Sequence, residues 1–177
     1  AEVGQTIGLA FRAAALADKI TGEVIQTKPQ MLTLTRPEPR GVLGIACANC
    51  QPLLGLAALV LPAIAAGNRV VAIPAMAQPL VAADFAQVLE TSDVPGGVVN
   101  LICGPRVDLA KVLAGHDDVA ALWYAGTPEG AAMVERESAA SLKATWCPTG
   151  RNWAAQELRD TLDQATQMKT IWVPYGI

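Results

Sequence analysis

From Gly41 onward, short apolar runs rich in β-branched residues alternate with longer stretches rich in alanine and leucine. This alternation is typical of repeated strand–helix–strand units, in which parallel strands lie side by side and helices cover them. Gly67 and Asn68 stand where a helix is expected to end, and Pro95 and two glycines precede the next run. The sequence therefore predicts an α/β fold with a mostly parallel sheet.

The pattern also predicts where the elements of this region lie. Strands are expected at 42–46, 69–73, 98–102, 120–124 and 142–146, and helices at 52–66, 80–90, 107–114 and 129–138. Residues 98–102 are apolar apart from Asn100, as expected for a strand in a sheet that is covered by helices on both faces.

Length and charge limit what the chain can bind. Its 177 residues are enough for one domain with its own hydrophobic core, so we assign 1–177 to a single domain. Only 16% of the residues are charged and the net charge is −3, so the chain has no basic surface for polyanions. Nucleic acid is therefore not an expected partner, and neither is an anionic membrane.

The most apolar run does not predict a membrane span. Residues 53–66 are too few to cross about 30 Å of hydrocarbon and include Pro62, so they predict a buried helix. An amphipathic helix is expected within 1–22, because Arg12 and other charged residues occur there at helical spacing and no basic stretch leads into an apolar segment. We therefore expect a cytoplasmic protein.

Two segments lie outside the strand–helix repeat. Residues 23–36 and 166–175 are both expected to be extended, and residues 31–35 alternate between apolar and polar side chains. Although they stand far apart in the sequence, they can pair as a small sheet that projects from the main one. Because a projecting sheet has free edges, we expect it to act as a docking surface.

A series of motifs carries a family resemblance. They are RGVLG at 40–44, PL at 52–53, AGNRVV at 66–71, VPGGVVNLICG at 94–104, HDDV at 116–119, YAGT at 124–127 and WCPTGR at 146–151. In order and spacing they resemble the cofactor-binding half of the aldehyde dehydrogenase superfamily. The resemblance implies that 40–152 form a Rossmann-like core, and that 23–36 and 166–175 form the oligomerisation strands of that superfamily.

The reactive positions depart from the superfamily's pattern. Cys50 stands where its members carry the asparagine that stabilises the oxyanion. Ile73 and Met76 replace a lysine and a glutamate that bind the adenosine ribose, and neither side chain can form such a hydrogen bond. Cys147 replaces the glutamate general base. The resemblance thus implies no catalytic residue in this chain.

One cofactor motif is retained in part. Gly126 and Thr127 keep the glycine and the hydroxyl of the loop that meets the cofactor pyrophosphate in the superfamily. A threonine before a helix is also a common N-cap, and we favour this structural role over phosphate binding. Gly126 and Thr127 are therefore expected to form a vestigial cofactor site, with no cofactor bound by the chain.

The end of the sequence suggests a role in assembly. In the superfamily the nucleophilic cysteine belongs to a catalytic domain that follows the motif at 146–151, whereas few residues follow Arg151 here, so we expect that domain to be absent. The combination most resembles the C-terminal pseudo-dehydrogenase domain of family-sixteen aldehyde dehydrogenases. We expect a noncatalytic module that pairs, through 23–36 and 166–175, with a catalytic aldehyde dehydrogenase module or with itself.

Other interpretations of the same residues remain open. Cys47 and Cys50 lie between a strand and a helix, where a redox-active thiol of lowered pKa can occur. Together with Cys103 and Cys147 they could hold zinc, but only one close pair exists, so we expect no metal and reduced thiols. A dinucleotide-binding oxidoreductase that uses NAD or NADP is the second hypothesis for function. His116 follows a glycine in a predicted turn, where we expect it to be solvated or to cap the turn.

Overall fold

A five-stranded parallel sheet forms the centre of the computed structural model, which describes residues 1–27, 30–155 and 157–175. Along the chain the elements are α1 (Glu2–Ala17), β1 (Glu23–Gln26), β2 (Met31–Pro39), β3 (Val42–Ala46), α2 (Pro52–Ala65), β4 (Arg69–Ile73), α3 (Pro79–Glu90), β5 (Val99–Leu101), α4 (Arg106–Gly115), β6 (Ala121–Tyr124), α5 (Pro128–Ser138), β7 (Ala144–Trp146), α6 (Leu158–Ala165) and β8 (Thr166–Pro174). The strand order in the central sheet is β5-β4-β3-β6-β7. The predicted α/β class is confirmed.

Helices cover both faces of this sheet because its strands are apolar on both sides. Leu43, Ile45 and Trp123 point to one face, where α1, α2, α3 and α6 pack. Leu122 and Tyr124 point to the other face, where α4 and α5 pack. The apolar run predicted as a buried helix is α2, whose Pro62 lies inside the helix. No helix in the described residues is long and apolar enough to span a membrane.

The predicted strands and helices of the core are present, and one boundary is wrong. The last strand begins at Ala144 and not at residue 142. Leu142 adopts a left-handed conformation with φ of 50° and is 93% exposed. The next residue, Lys143, turns inward, and its Nζ donates hydrogen bonds to the carbonyls of Leu113 and His116 at the end of α4. This capping interaction takes the two residues out of the strand.

The outlying segments form a second sheet of order β1-β2-β8. The segment predicted at 23–36 is an antiparallel hairpin of two strands, in which residues 28 and 29 lie outside the described residues. Strand β2 then pairs along its whole length with β8, from Met31 opposite Pro174 to Pro39 opposite Thr166. The long-range pairing of the two segments is therefore as predicted.

The helix expected within 1–22 is shorter than that range and ends at Ala17. After residue 152 the chain forms a 3-10 turn at Trp153–Ala155 and then α6 from Leu158, with residue 156 outside the described part. Leu158 and Leu162 are both buried, as expected of side chains one turn apart on an apolar face.

The buried side chain of Asn68 joins the two sheets. Its Nδ2 donates to the carbonyls of Ala63 and Ala165, each at 3.0 Å, and its Oδ1 accepts from the backbone N–H of Gly41 at 3.0 Å. These three partners lie at the end of α2, at the end of α6 and just before β3. Since buried backbone groups need hydrogen-bond partners, Asn68 fixes where β8 leaves the core.

We therefore expect Asn68→Ala to lower the free energy of unfolding by about 2–3 kcal/mol, because it leaves a buried N–H and two carbonyls without this partner. Denaturant unfolding followed by circular dichroism measures the change. Asn100→Ala is the matched control, since Asn100 is exposed and its amide also donates to two carbonyls, those of Val70 and Gly97. An equal loss in both variants would contradict the role assigned to Asn68.

Candidate functional site

A cavity of about 220 Å³ opens at the carboxyl ends of β3, β6 and β7. Parallel strands bring the residues that follow them to the same edge of a sheet, which is where α/β proteins commonly bind ligands. The cavity is lined by Ala48, Asn49, Cys50, Arg106, Ala125, Gly126, Pro148, Gly150, Arg151 and Trp153. It therefore brings together residues of the motifs at 124–127 and 146–151 with Cys50, although these are far apart in the sequence.

The guanidinium of Arg106 is held at the edge of the sheet. Its Nη1 donates to the carbonyl of Cys47 at 2.9 Å and lies 3.5 Å from that of Ala125, and the group is 5.6 Å from the centre of the Tyr124 ring. Sequence reasoning did not single out this residue. A cation in the first turn of a helix is unfavourable, because it lies at the positive end of the helix dipole. The position of Arg106 at the start of α4 is therefore the signal by which sequence reasoning could have selected this residue.

The two cysteines near the cavity differ sharply in environment. Cys47 is completely buried, and burial raises the pKa of its thiol to about 12, although the nearby Arg106 opposes the rise. Cys50, three residues later, is exposed. The lowered thiol pKa that a redox role requires is therefore not found at Cys47, because desolvation outweighs the positive charge beside it.

Cys147 stands at the position of the superfamily's general base, directly after β7. It is half-buried, and burial, followed by the carboxylate of Glu135, raises the pKa of its thiol above the ordinary value of 9.0. A group of this pKa remains protonated at neutral pH and cannot take a proton from water there. The raised pKa thus disfavours Cys147 as a base at neutral pH.

Gly126 and Thr127 lie at the start of α5. The Thr127 hydroxyl accepts a hydrogen bond from the N–H of Gly130 at 3.2 Å, so it caps the helix. The ring of Tyr124 lies so close to Gly126 and Gly130 that a Cβ at either position would collide with it. Glu129 adds a carboxylate to the same turn. The N-cap interaction is present, and it uses the hydroxyl as an acceptor while its O–H can still donate a hydrogen bond.

The positions that would meet an adenosine ribose have no polar side chain. Ile73, at the end of β4, is fully buried in the core between the sheet, α4 and α5. Met76 is 48% exposed in the loop that follows. Neither side chain carries a group that can donate a hydrogen bond to a ribose hydroxyl.

The remaining candidates do not form a second centre. Among the described residues, no group of three or more His, Cys, Asp or Glu side chains is arranged to hold a metal ion. The Nδ1 of His116 accepts a hydrogen bond from the N–H of Asp118 at 3.2 Å. His116 thus caps its turn, as the sequence suggested.

Comparisons with known proteins agree with this architecture. The profile of the Aldehyde dehydrogenase family matches residues 1–167. A putative aldehyde dehydrogenase-like protein of Schizosaccharomyces pombe is 31% identical over 176 residues, which are 99% of this chain. The chain belongs to the aldehyde dehydrogenase family. The resemblance found in the motifs is confirmed at this level.

Other relatives and solved structures extend the comparison. Human cytosolic 10-formyltetrahydrofolate dehydrogenase is 38% identical over 131 residues, and the match covers 72% of this chain. A lactaldehyde dehydrogenase structure superposes with a TM-score of 0.80 and 26% identity, covering 84% of the chain. The structure of a betaine aldehyde dehydrogenase mutant of Staphylococcus aureus in complex with NAD⁺ superposes with a TM-score of 0.78 and 27% identity, and it also covers 84% of the chain.

The chain spans only part of these proteins. It covers 36% of the Schizosaccharomyces pombe relative, 14% of the human enzyme, and 31% and 30% of the two structures. The shared part contains the Rossmann-like sheet and the crevice at its edge. The family is thus established for this region, while the activity of a complete protein is a separate question.

Alkylation of the folded chain should distinguish the exposed cysteines from the buried Cys47. With iodoacetamide at pH 8, we expect Cys50 and Cys103 to react because both are exposed, whereas Cys47 should react only after unfolding. Raising the pH to 9.5 should leave Cys47 unlabelled, because its thiol ionises only near pH 12 in the folded chain. Peptide mapping by mass spectrometry measures this. Rapid labelling of Cys47 at pH 8 would instead favour the redox hypothesis.

Proposed function

We propose that this chain is a noncatalytic module of the aldehyde dehydrogenase family that serves assembly. It would associate with a catalytic module, or with a second copy of itself, in a cytoplasmic enzyme that oxidises aldehydes to carboxylic acids with NAD or NADP. The observation that carries the proposal is the exposed aliphatic face of the β1-β2-β8 sheet.

The register of the sheet places five aliphatic side chains on one face. Opposed residues of antiparallel strands point to the same side, so the pairs Val24 with Leu34, Leu34 with Ile171, and Leu32 with Val173 form a continuous patch. We call Val24, Leu32, Leu34, Ile171 and Val173 the outer face. Val24 is 70% exposed, and Val173 is 41% exposed. An apolar patch of this extent is typical of an interaction surface.

Strand β8 adds an open edge to this face. Within the described residues it pairs with β2 alone, and all of its residues after Thr166 are exposed. An open edge presents unpaired N–H and carbonyl groups that can pair with a strand of another chain. Lys169, bound to Glu38 at 3.1 Å, places a charge near the start of β8. The aliphatic residues Ile171 and Val173 follow it, so the apolar part of the edge lies towards its end.

The reactive positions support a noncatalytic role. The thiols of Cys50 and Cys147 stand where the family carries an amide and a carboxylate, and the raised pKa of Cys147 opposes its use as a base. In contrast, the backbone positions that shape the fold are kept, including Gly67 with a φ of 92° and the buried Asn68. Such a pattern suits a scaffold, and it underlies our assignment to a pseudo-dehydrogenase domain like that of family-sixteen members.

The test is the solution mass of the chain, alone and mixed with a catalytic aldehyde dehydrogenase from the same genome. We expect a stable assembly, and we expect Ile171→Lys combined with Val173→Lys to weaken it at least about 100-fold. Burying an aliphatic side chain contributes about 1.5–3 kcal/mol, and a buried lysine charge costs more than that. Sedimentation equilibrium measures both the mass and the affinity.

The matched control combines Val88→Lys with Val112→Lys. These valines lie on α3 and α4, and they are 62% and 63% exposed, so the control adds the same charges away from the outer face. It should assemble like the unchanged chain. A chain that is monomeric in every mixture would contradict the assembly proposal, as would an outer-face variant that assembles normally.

The second candidate is a dinucleotide-binding oxidoreductase, favoured by the cavity beside Gly126 at the carboxyl edge of the sheet. The loss of the ribose contacts at Ile73 and Met76 opposes it. Each such hydrogen bond contributes about 0.5–1.5 kcal/mol, so losing two weakens binding roughly tenfold to a hundredfold.

Calorimetry with NAD and NADP tests this candidate. We expect no binding at submillimolar cofactor, because Ile73 and Met76 cannot supply the ribose contacts. Micromolar binding would restore the hypothesis of a dinucleotide-binding enzyme. If Thr127→Val then removes the binding, the cofactor site includes the loop at the start of α5.

A further inference from the structure

The strand order of the central sheet determines where a dinucleotide would have to lie. In the order β5-β4-β3-β6-β7 the chain runs outward from β3 to β5 and then returns to the other side of β3 as β6. The direction thus reverses between β3 and β6, and α/β sheets bind ligands in the crevice outside the carboxyl ends of the strands at such a point. In this chain the crevice begins at Cys47, which follows β3, and at Ala125, which follows β6.

The side chain of Arg106 lies across this crevice. Its Nη1 is 2.9 Å from the carbonyl oxygen of Cys47 and 3.5 Å from that of Ala125, so one guanidinium group bridges the ends of both strands. Within the described residues no carboxylate pairs with Arg106, and its charge is met by the two carbonyls and by the face of the Tyr124 ring. These contacts hold the guanidinium in the crevice.

The ring of Tyr124 fills the space next to Arg106. This side chain is fully buried in the part of the core that lies between the sheet, α4 and α5. Its hydroxyl has no hydrogen-bond partner in the part of the chain that the structure describes. Because an unpartnered buried hydroxyl is unfavourable, packing and not hydrogen bonding holds the ring in this position.

The backbone at the start of α5 is adapted to the Tyr124 ring. A Cβ at Gly126 or Gly130 would collide with the ring, and neither glycine has a positive φ that would itself favour glycine. Gly130 lies inside α5, where glycine is unfavourable relative to alanine. The room that Tyr124 needs is thus a physical reason for glycine at this position of the helix.

We infer that the crevice is closed by the chain's own side chains, because Arg106 and Tyr124 occupy the space that a dinucleotide requires. The remaining cavity of about 220 Å³ is below the range of about 300–1,000 Å³ that is usual for small-molecule sites, so NAD and NADP do not fit. Steric hindrance therefore excludes the cofactor in addition to the missing ribose contacts. This inference concerns the central sheet and does not depend on the assembly proposed for the outer face, so either can fail alone.

Saturation-transfer NMR of the full chain with millimolar NAD tests the closure. The unchanged chain should show no transfer to the adenine protons. Arg106→Ala combined with Tyr124→Leu, the opened variant, should bind NAD saturably, and AMP should displace it. Even a roughly hundredfold loss from the missing ribose contacts leaves a micromolar site detectable in this range. Tyr124→Phe is the matched control, since it keeps both the ring and Arg106, and it should remain unable to bind.

A second measurement tests the packing while Arg106 and Tyr124 are both present. Gly130→Ala should lower the urea midpoint of unfolding, because the added Cβ collides with the Tyr124 ring although alanine favours a helix. Gly8→Ala is the matched control, since a Cβ at Gly8 in α1 meets nothing within 4 Å, and it should raise the midpoint. In a Tyr124→Leu background, Gly130→Ala should lower the midpoint less than it does alone.

Three results would overturn the inference. One is binding of NAD by the unchanged chain or by Tyr124→Phe as tightly as by the opened variant. Another is an opened variant that is folded by circular dichroism and binds no NAD. The third is a rise of the unfolding midpoint in Gly130→Ala equal to that in Gly8→Ala, and this comparison decides the question even where the opened variant does not fold.

Discussion

The carboxamide of Asn68 is the interaction on which the two sheets of this protein depend. It accepts from the N–H of Gly41 before the first core strand, and it donates to the carbonyl of Ala165, directly before β8. Arg40 reinforces the junction, since its Nε donates to the carbonyl of Gln164 at 2.7 Å. The strand that carries the proposed docking surface thus leaves the core from a fixed point, because buried polar groups tolerate few alternative arrangements.

The two sheets have separate chemical roles. The central sheet is covered by helices on both faces, and Arg106 and Arg151 line a cavity at its carboxyl edge. The smaller sheet keeps an aliphatic face and its two edge strands, β1 and β8, exposed. Exposed aliphatic surface is costly in water, so the smaller sheet has a physical reason to bind a partner.

Much of the core could be predicted because its signals are local. Strands β3 and β4 match their predicted limits, since both are short apolar runs bounded by turn residues. Leu142 resembles a strand residue by composition, but the capping of α4 by Lys143 removes it from the strand, and this contact spans 30 residues. Cys47 and Cys50 also look equivalent in sequence, yet only Cys47 points into the core. Pattern and propensity do not encode such contacts.

The sequence by itself determined the fold class and the order of most elements, because these depend on residue type and spacing. The loss of reactive groups at Cys50, Cys147, Ile73 and Met76 is what the family resemblance implies. Only the tertiary structure decided which side chains share a site. Arg106 and Arg151 lie far apart in the chain, and they line one cavity because parallel strands end at one edge of a sheet. Burial, which sets the pKa of Cys47, is likewise a property of the whole fold and not of neighbouring residues.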